Sequence, residues 1–413
     1  MTMSKLTFIH TADLHLDSPF KGLHSLPSSI YERMKESTFH SLHNIVSLAV
    51  EKKVDFVLIA GDLFHSEERS LRAQIKLHNE LIRLKDHHID CFIIHGNHDP
   101  LDGYWVNLEW PENVHIFGEE TSFKPYYKNG KLMAHLYGFS YPTKRVTDNR
   151  TQEYVKKEGP DFHIGMLHGN VQGASDHEAY APFKVEQLLE KQFDYWALGH
   201  IHKRQVLTSE PPILYPGNIQ GLSKKETGEK GCYLVELEKK RTRLTFQNTA
   251  EIIWKKVEVP IDGLTSFSEL YSCCEEVIEG IRSDHYGVMA TLMFTGSGTM
   301  DDFLQNDQEI EDLIVSLRDG EERKKDFIWI AEWKVETNPD WDREELKHSE
   351  LFAGDIVRLS EQYEDKDIDE ALNPLFHHRR ARHFISKLST SEKQELIRDA
   401  EKLLLNSLLK ERT

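Results

Sequence analysis

Three apolar runs in this chain end the same way, and that pattern limits the fold more than any other feature. Phe56-Val57-Leu58-Ile59-Ala60-Gly61 leads into Asp62. Phe8-Ile9-His10-Thr11-Ala12 leads into Asp13-Leu14-His15, and Cys91-Phe92-Ile93-Ile94-His95-Gly96 leads into Asn97-His98-Asp99. Strands this apolar are buried on both faces, as in a parallel sheet covered by helices. A carboxylate at the end of such a strand cannot stay buried without a partner. Open α/β sheets place their ligands at the carboxyl ends of the strands, so the pattern predicts Asp62 as a carboxylate shared by two metal ions.

From Leu6 to Phe117 strands alternate with helices, expected over Pro27 to Lys52 and Ser70 to His87, which implies βαβ units. The second helix carries Leu71, Ile75, Leu77, His78, Leu81, Ile82 and Leu84 as a helical stripe. Between Leu132 and Phe246 the strands crowd together and predict a second, more antiparallel sheet packed on the first. Thr143 to Pro160 reads as a surface helix and loop.

Beyond Thr249–Pro260 the order strand, helix, strand, helix, strand predicts a compact α/β unit of about eighty residues. After Asn338 the chain is helical and charged, and its last helix opens on a capping box at Ser389-Thr390-Ser391-Glu392. That helix sets Leu396, Ile397, Ala400, Leu403, Leu404 and Leu408 on one face. A chain of 413 residues is too long for one core, and the divisions expected are 1–250, 251–338 and 339–413.

The net charge of −18 argues against a protein that grips nucleic acid by its overall field. Nucleic acid stays open as a substrate, because bound divalent cations invert the local sign of an acidic site. The four cysteines have neither disulfide-framework nor zinc-finger spacing, which suits a reducing compartment. The N-terminus enters a strand without an apolar signal region, and no segment approaches the ~20 apolar residues that span a bilayer. A soluble, cytoplasmic protein with no membrane partner is expected.

The candidate ligands are Asp13, His15, Asp62, Asn97, His168, His200 and His202, each at or just after the end of an apolar run. In extended backbone Asp13 and His15 would point the same way, and Gly199-His200-Ile201-His202 repeats that spacing. Gly96 and Gly199 permit close approach of backbone to a ligand. Carboxylate, imidazole and amide donors without thiolate suit Mn²⁺, Fe²⁺ or Zn²⁺ better than a structural zinc. One Asp-x-His is weak evidence, since a lone strand-end histidine is more often a hydrogen-bonded structural residue. Seven such residues on one sheet edge would leave too many buried polar groups without an ion to satisfy them.

Asp13-x-His15, Gly61-Asp62, Gly96-Asn97-His98-Asp99, His168 and Gly199-His200-x-His202 together resemble the motif set of the calcineurin-like metallophosphoesterases. More narrowly, residues 5 to 250 resemble the DNA repair nucleases of the SbcD type, and most closely their YhaO-type bacterial relatives. The resemblance implies a two-sheet αββα sandwich, followed by a small α/β capping domain and a helical C-terminal extension. It implies two divalent metal ions, most often Mn²⁺: one held by Asp13, His15, Asp62 and His202, the other by Asp62, Asn97, His168 and His200. Related phosphatases carry an Asp three residues after the shared one; here that place is His65, as in the nuclease branch. Tyr215-Pro216-Gly217-Asn218 departs from the nucleases in having Asn218 for a small hydroxyl residue, which touches only a turn contact.

The implied activity is metal-dependent phosphodiester hydrolysis on DNA, as an exonuclease or endonuclease in DNA repair. His98 would protonate the departing sugar oxygen or neutralise charge on the phosphate, work worth ~10²–10⁴ in rate. His65 would support the phosphate or position His98, while His95 and Asp99 fit supporting roles. The partner implied is an SMC-like coiled-coil ATPase docked on the C-terminal helices, and a homodimer is left open. The basic cluster Phe376 to His383 reads equally as a solvated face offsetting the acidic run Glu361 to Glu370 and as a nucleic-acid or partner contact. The competing readings are a small-molecule phosphodiesterase or phosphatase of the same superfamily, and a DNA-tethering scaffold without catalysis.

Overall fold

The computed structural model describes residues 4–20, 26–65, 69–103, 108–173, 179–378 and 388–409. The basic positions Arg379 to Arg382 lie outside them. The chain forms two compact units, one of residues 1–256, 281–291 and 318–332, the other of residues 257–280, 292–317 and 333–413. The expected middle segment 251–338 contributes to both.

The first unit opens with β1 (Lys5–Thr11), α1 (Ser28–Lys52), β2 (Phe56–Ala60), α2 (Leu71–Asp86), β3 (Asp90–Ile94) and β4 (Val114–Ile116). The start of α2 and the ends of both helices follow local chemistry. Ser70 Oγ accepts from the Ala73 N–H at 3.0 Å to cap α2, whose last turn carries Arg83 and Lys85 against the helix dipole. At the end of α1, Lys53 turns left-handed and its N–H bonds back to the last turn. Neighbouring pairs among β1, β2, β3 and β4 are parallel, as the alternating pattern predicted.

Then come β5 (Ser122–Lys128), β6 (Lys131–Gly138), β7 (Phe162–His168), α3 (Val185–Leu189), β8 (Tyr195–Gly199), β9 (Gln205–Ser209) and β10 (Pro212–Tyr215). They form a second six-stranded sheet in the order β5-β6-β7-β8-β10-β9. Its central pairs, β6 with β7, β7 with β8 and β8 with β10, are parallel, and only the outer hairpins are antiparallel. The expectation of a second sheet more antiparallel than the first is therefore corrected, since each sheet has three parallel and two antiparallel pairs. The hairpin of β11 (Gly231–Glu238) and β12 (Arg241–Asn248) also leaves this sheet and returns to the first, where β11 runs antiparallel to β1. The first sheet thus reads β12-β11-β1-β2-β3-β4. Short sequence separation made the hairpin look like part of the second sheet, but pairing is chosen by which apolar face fits.

Alternation within each strand builds the layers. Phe8, Phe56, Leu58, Phe92 and Ile94 face the second sheet's Leu136, Ile164, Met166, Ala197 and Leu214. Their neighbours Ile9, Val57, Ile59 and Ile93 pack on Phe39, Leu42, Val46, Leu77, Leu81 and Leu84 of α1 and α2. Of the stripe predicted on α2, Leu77, Leu81 and Leu84 are buried, while Leu71, Ile75 and Ile82 are exposed. The outer face of the second sheet is covered by Tyr141, Val146, Tyr154, Phe183 and Leu188. The segment 143–160 holds only a short 3₁₀ turn, and it is not merely surface: Tyr154 is buried and its hydroxyl donates to the Met166 carbonyl at 2.7 Å. The result is the αββα sandwich, with a largely irregular outer layer on one side.

Three further strands, β13 (Ile252–Pro260), β14 (Gly287–Ser297) and β15 (Ile328–Asn338), form a third sheet in that order. Between them lie α4 (Phe267–Glu279), capped by Ser266 and Glu269, α5 (Asp301–Leu304) and α6 (Asp307–Arg318). The second unit continues with α7 (Arg343–His348), α8 (Phe352–Ser360), α9 (Asp365–Phe376) and α10 (Thr390–Leu409). The Ser389–Glu392 capping box forms as predicted. The packed side of α10 is another matter. Leu405 is fully buried against Ala353 and Val357, whereas Leu396, Leu403, Leu404 and Leu408 of the predicted face are exposed.

Between the two large sheets, His10 sits buried with Nε2 donating to the Leu198 carbonyl at 3.1 Å and Nδ1 against the Tyr195 hydroxyl at 2.9 Å. Burial, partly offset by the Leu198 bond, pushes His10 down to about 3 from an ordinary 6.5. The unfolded chain therefore binds the extra proton between those two values, and stability falls as pH drops through that window. Urea midpoints measured from about pH 7 to about pH 4.5 should decline less steeply in His10→Gln than in the parent. Equal slopes would remove His10 as the cause.

Candidate metal centre

All seven predicted ligands converge at the carboxyl ends of β1, β2, β3, β7 and β8. The side-chain donor atoms of Asp13, His15 and His202 lie within 4.8 Å of one another, and those of Asp62, His168 and His200 form a second such group. Asp62 links the two: its Oδ2 lies 3.3 Å from His168 Nε2 and 3.8 Å from His15 Nε2. Asn97 joins the second group, its Oδ1 lying 3.0 Å from His168 Nε2 and 3.1 Å from His200 Nδ1.

The backbone reaches this arrangement differently from the expectation. Asp13 (φ 51°), His15 (φ 42°) and Asp62 (φ 52°) are left-handed, not extended, and His200 has φ 100°. The loops after β1 and β2 stay zipped together through these residues. The Asp13 N–H donates to the Gly61 carbonyl, the His15 N–H to the Asp62 carbonyl and the Leu16 N–H to the Leu63 carbonyl, each at 3.0 Å. Non-glycine residues held left-handed cost ~1–3 kcal/mol each and cluster where function over-determines them. Here that strain turns three ligand-bearing residues toward one point.

Glycine makes room. A Cβ on Gly96 would lie 2.3 Å from Asp62 Oδ1 and 2.6 Å from His168 Nε2, and one on Gly199 would lie 1.9 Å from the Ala60 carbonyl oxygen. The close approach predicted for both glycines is present.

Two of the imidazoles are oriented by their other nitrogen. His168 Nδ1 donates to the Ala60 carbonyl at 2.9 Å, and His202 Nδ1 donates to Glu226 Oε1 at 2.7 Å, so both present Nε2 to the centre. His15 Nε2 faces His202 Nε2 at 2.8 Å, while its buried Nδ1 has no partner among the described residues. Two imidazole nitrogens aimed at each other, beside buried carboxylate and amide oxygens, make a donor set that fits divalent cations.

The electrostatics agree. Burial opposes the charge on Asp62, yet His168, His15 and His98 outweigh it and hold the carboxyl well below the usual range. Burial likewise opposes charging His168, but Asp62 prevails and raises it to about 9. Burial, with the like charge of Asp62, lifts Asp13 to about 6 against the pull of His168 and His202. The pocket is built for negative charge answered by positive charge.

The remaining predicted residues surround the ligands. The His98 N–H donates to Asp62 Oδ1 at 2.9 Å, and its Nδ1 donates to the His65 carbonyl at 2.7 Å. The His65 ring stacks on that of His98 with centroids 5.7 Å apart, and its Nδ1 lies 3.1 Å from Ser18 Oγ. Asp99 staples the turn, accepting from the Leu63 and Gly96 N–H groups at 2.8 Å each and from His95 Nδ1 at 3.1 Å. Two residues escaped the sequence reading. Tyr180 lies with its ring 4.9 Å from that of His200. Glu226, in the loop before β11, has no apolar run or motif beside it to mark it.

Residues 6–204 match the calcineurin-like phosphoesterase family, and residues 254–338 match the middle domain of the metallophosphoesterase YhaO. The chain is 37% identical over 421 residues, 98% of each chain, to the uncharacterized metallophosphoesterase YhaO of Bacillus subtilis (strain 168). This chain belongs to the YhaO metallophosphoesterases. More distant similarity reaches proteins named DNA double-strand break repair protein Mre11. The one from Sulfurisphaera tokodaii is 28% identical over 242 residues, covering 55% of this chain and 59% of that protein. The one from Methanocaldococcus jannaschii is 26% identical over 290 residues, covering 64% and 72%. The family's centre is dinuclear, which agrees with the two donor groups joined through Asp62. The protein is thus a phosphoesterase hydrolase. Among the described residues no helix is long and apolar enough to cross a membrane.

Gly96→Ala should displace Asp62 and His168 and weaken metal binding by about 10- to 100-fold, the usual effect of disturbing a ligand's support. Metal content after dialysis, measured by elemental analysis, would check this; full occupancy would show that the cradle can yield.

Proposed function

We propose that this metallophosphoesterase is a Mn²⁺-dependent DNA nuclease acting in DNA repair in the cytoplasm. The observation that carries the reading is the placement of His98 beside Asp62, with His65 stacked on it where related phosphatases carry an acidic residue. The similarity to proteins named for double-strand break repair supports the same direction.

Two divalent cations, held by Asp13, His15, Asp62 and His202 and by Asp62, Asn97, His168 and His200, would polarise a phosphodiester and acidify an attacking water. The chain's own residues do the rest. The His65 carbonyl accepts the hydrogen bond from His98 Nδ1–H, which fixes the ring and leaves Nε2–H of the imidazolium to deliver its proton to the departing sugar oxygen. The bond from the His98 N–H to Asp62 ties that acid to the carboxylate between the donor groups, so acid and phosphate keep a fixed separation.

Linear duplex DNA should be cleaved with Mn²⁺ and left intact with excess chelator. His98→Ala should lower turnover by ~10²–10⁴ while metal content stays unchanged. Full activity in that variant would overturn the assignment of His98. Faster turnover of a small chromogenic phosphodiester than of DNA would favour the small-molecule reading.

The exposed row Leu396, Leu403, Leu404 and Leu408 on α10 supports docking of a coiled-coil ATPase of the SMC type. Replacing Leu403 and Leu404 by Glu should abolish copurification with such an ATPase from the same host and leave the unfolding midpoint unchanged. Retained association would sink the docking proposal.

A further inference from the structure

The two donor groups are supported by different kinds of structure. His168 is fixed by a main-chain carbonyl at the end of β2, in the middle of the sandwich. His202 is fixed by a side chain, Glu226, delivered by the loop between β10 and β11. That carboxylate is itself tightly placed. Its Oε2 accepts from the Leu222 N–H at 2.7 Å and from Asn218 Nδ2 at 2.8 Å, while Oε1 accepts from His202 Nδ1–H at 2.7 Å. The same loop grips His202 from its main chain. Lys230 Nζ donates to the His202 carbonyl at 3.0 Å, and the Asn218 N–H donates to it at 3.3 Å.

We infer that Glu226, with Asn218 behind it, is a positioning residue that sets the affinity of the cation held by Asp13, His15 and His202, and leaves the other cation's site untouched. The inference rests on the two-cation reading of the centre. A carboxylate accepting from a ligand histidine fixes the ring's tautomer and aim, and makes its other nitrogen a better donor. Without it, His202 keeps its main-chain grip but its ring is free to turn. It also places a role on Asn218 that a small hydroxyl residue could not fill in the same way, because the donor must span from the turn to Glu226 Oε2. His202 would therefore be held in place by a loop and His168 by the sheet.

The test is Mn²⁺ binding to the full chain, followed by calorimetry and by electron paramagnetic resonance of the bound ions. The parent should bind two ions and show the signal of a coupled pair. Glu226→Ala should weaken one site by about 10- to 100-fold and the other by no more than about twofold, converting the coupled signal to that of a single ion. Glu226→Gln keeps an acceptor for His202 but sets an amide N–H against those of Leu222 and Asn218, and should give the same loss in weaker form; Asn218→Ala should do likewise. Circular dichroism and the unfolding midpoint of metal-free protein would show that the variants fold, and Glu226→Gln carries the test if Glu226→Ala does not. Two ions bound by the variants with parental affinity, or equal weakening of both, would overturn the inference. Failure of the parent to cleave DNA while the variants still lose one ion would overturn the nuclease reading alone. Failure of the parent to bind two ions would overturn both.

Discussion

A carboxylate at the end of a strand buried on both faces has to be compensated, and Asp62 meets that demand with imidazoles instead of with solvent or a basic side chain. Three separate segments supply the groups around it: Asp13 to Leu16 after β1, with His15 and the zipped backbone, the His98 N–H after β3, and His168 at the end of β7. None of these segments could be moved without exposing that charge to a low-dielectric interior, where an unpaired ion costs several kcal/mol. The αββα sandwich can be understood as the frame that brings these strand ends to one carboxylate.

That frame accounts for the strain in the site. Strands β1 and β2 run parallel in the core, and their loops continue side by side through left-handed Asp13, His15 and Asp62. An extended continuation would also have set Asp13 and His15 on one face, but the loops turn left-handed at these residues instead, and the hydrogen bonds between the loops offset the conformational cost. Gly96 and Gly199 then admit backbone where a side chain would strike the ligands. The role proposed for His98 would depend on the same geometry, since its main-chain N–H bonds to Asp62 and its ring Nδ1–H to the His65 carbonyl.

Much of the fold was legible because buried parallel strands and amphipathic helices impose periodicities that survive in one dimension. β2, α1 and the strand–helix order after Thr249 are of this kind. Other features were not legible, each for a physical reason. The β11–β12 hairpin pairs with β1, more than two hundred residues earlier, and nothing local distinguishes that partner from a nearer strand. Residues 143–160 are polar in composition yet bury Val146 and Tyr154, because a few anchoring side chains suffice to cover a sheet. On α10 the apolar row is exposed and the packed line runs through Leu405 and the paired Glu401. Periodicity shows that a helix has an apolar face, but not which neighbour covers it.

The site divides in the same way. The sequence by itself determined the seven ligand candidates, His98 and the glycines beside them, because each sits where an apolar run stops and a buried polar group needs a reason to be there. It also determined the family to which the chain belongs, through the spacing of those motifs. Only the tertiary structure decided that Asp62 lies between two donor groups, that left-handed backbone turns the ligands inward, and that Glu226 orients His202. Those facts are set by distances between segments far apart in the chain. A carboxylate in a charged surface loop, such as Glu226, gains its meaning only when the fold sets an imidazole nitrogen 2.7 Å away.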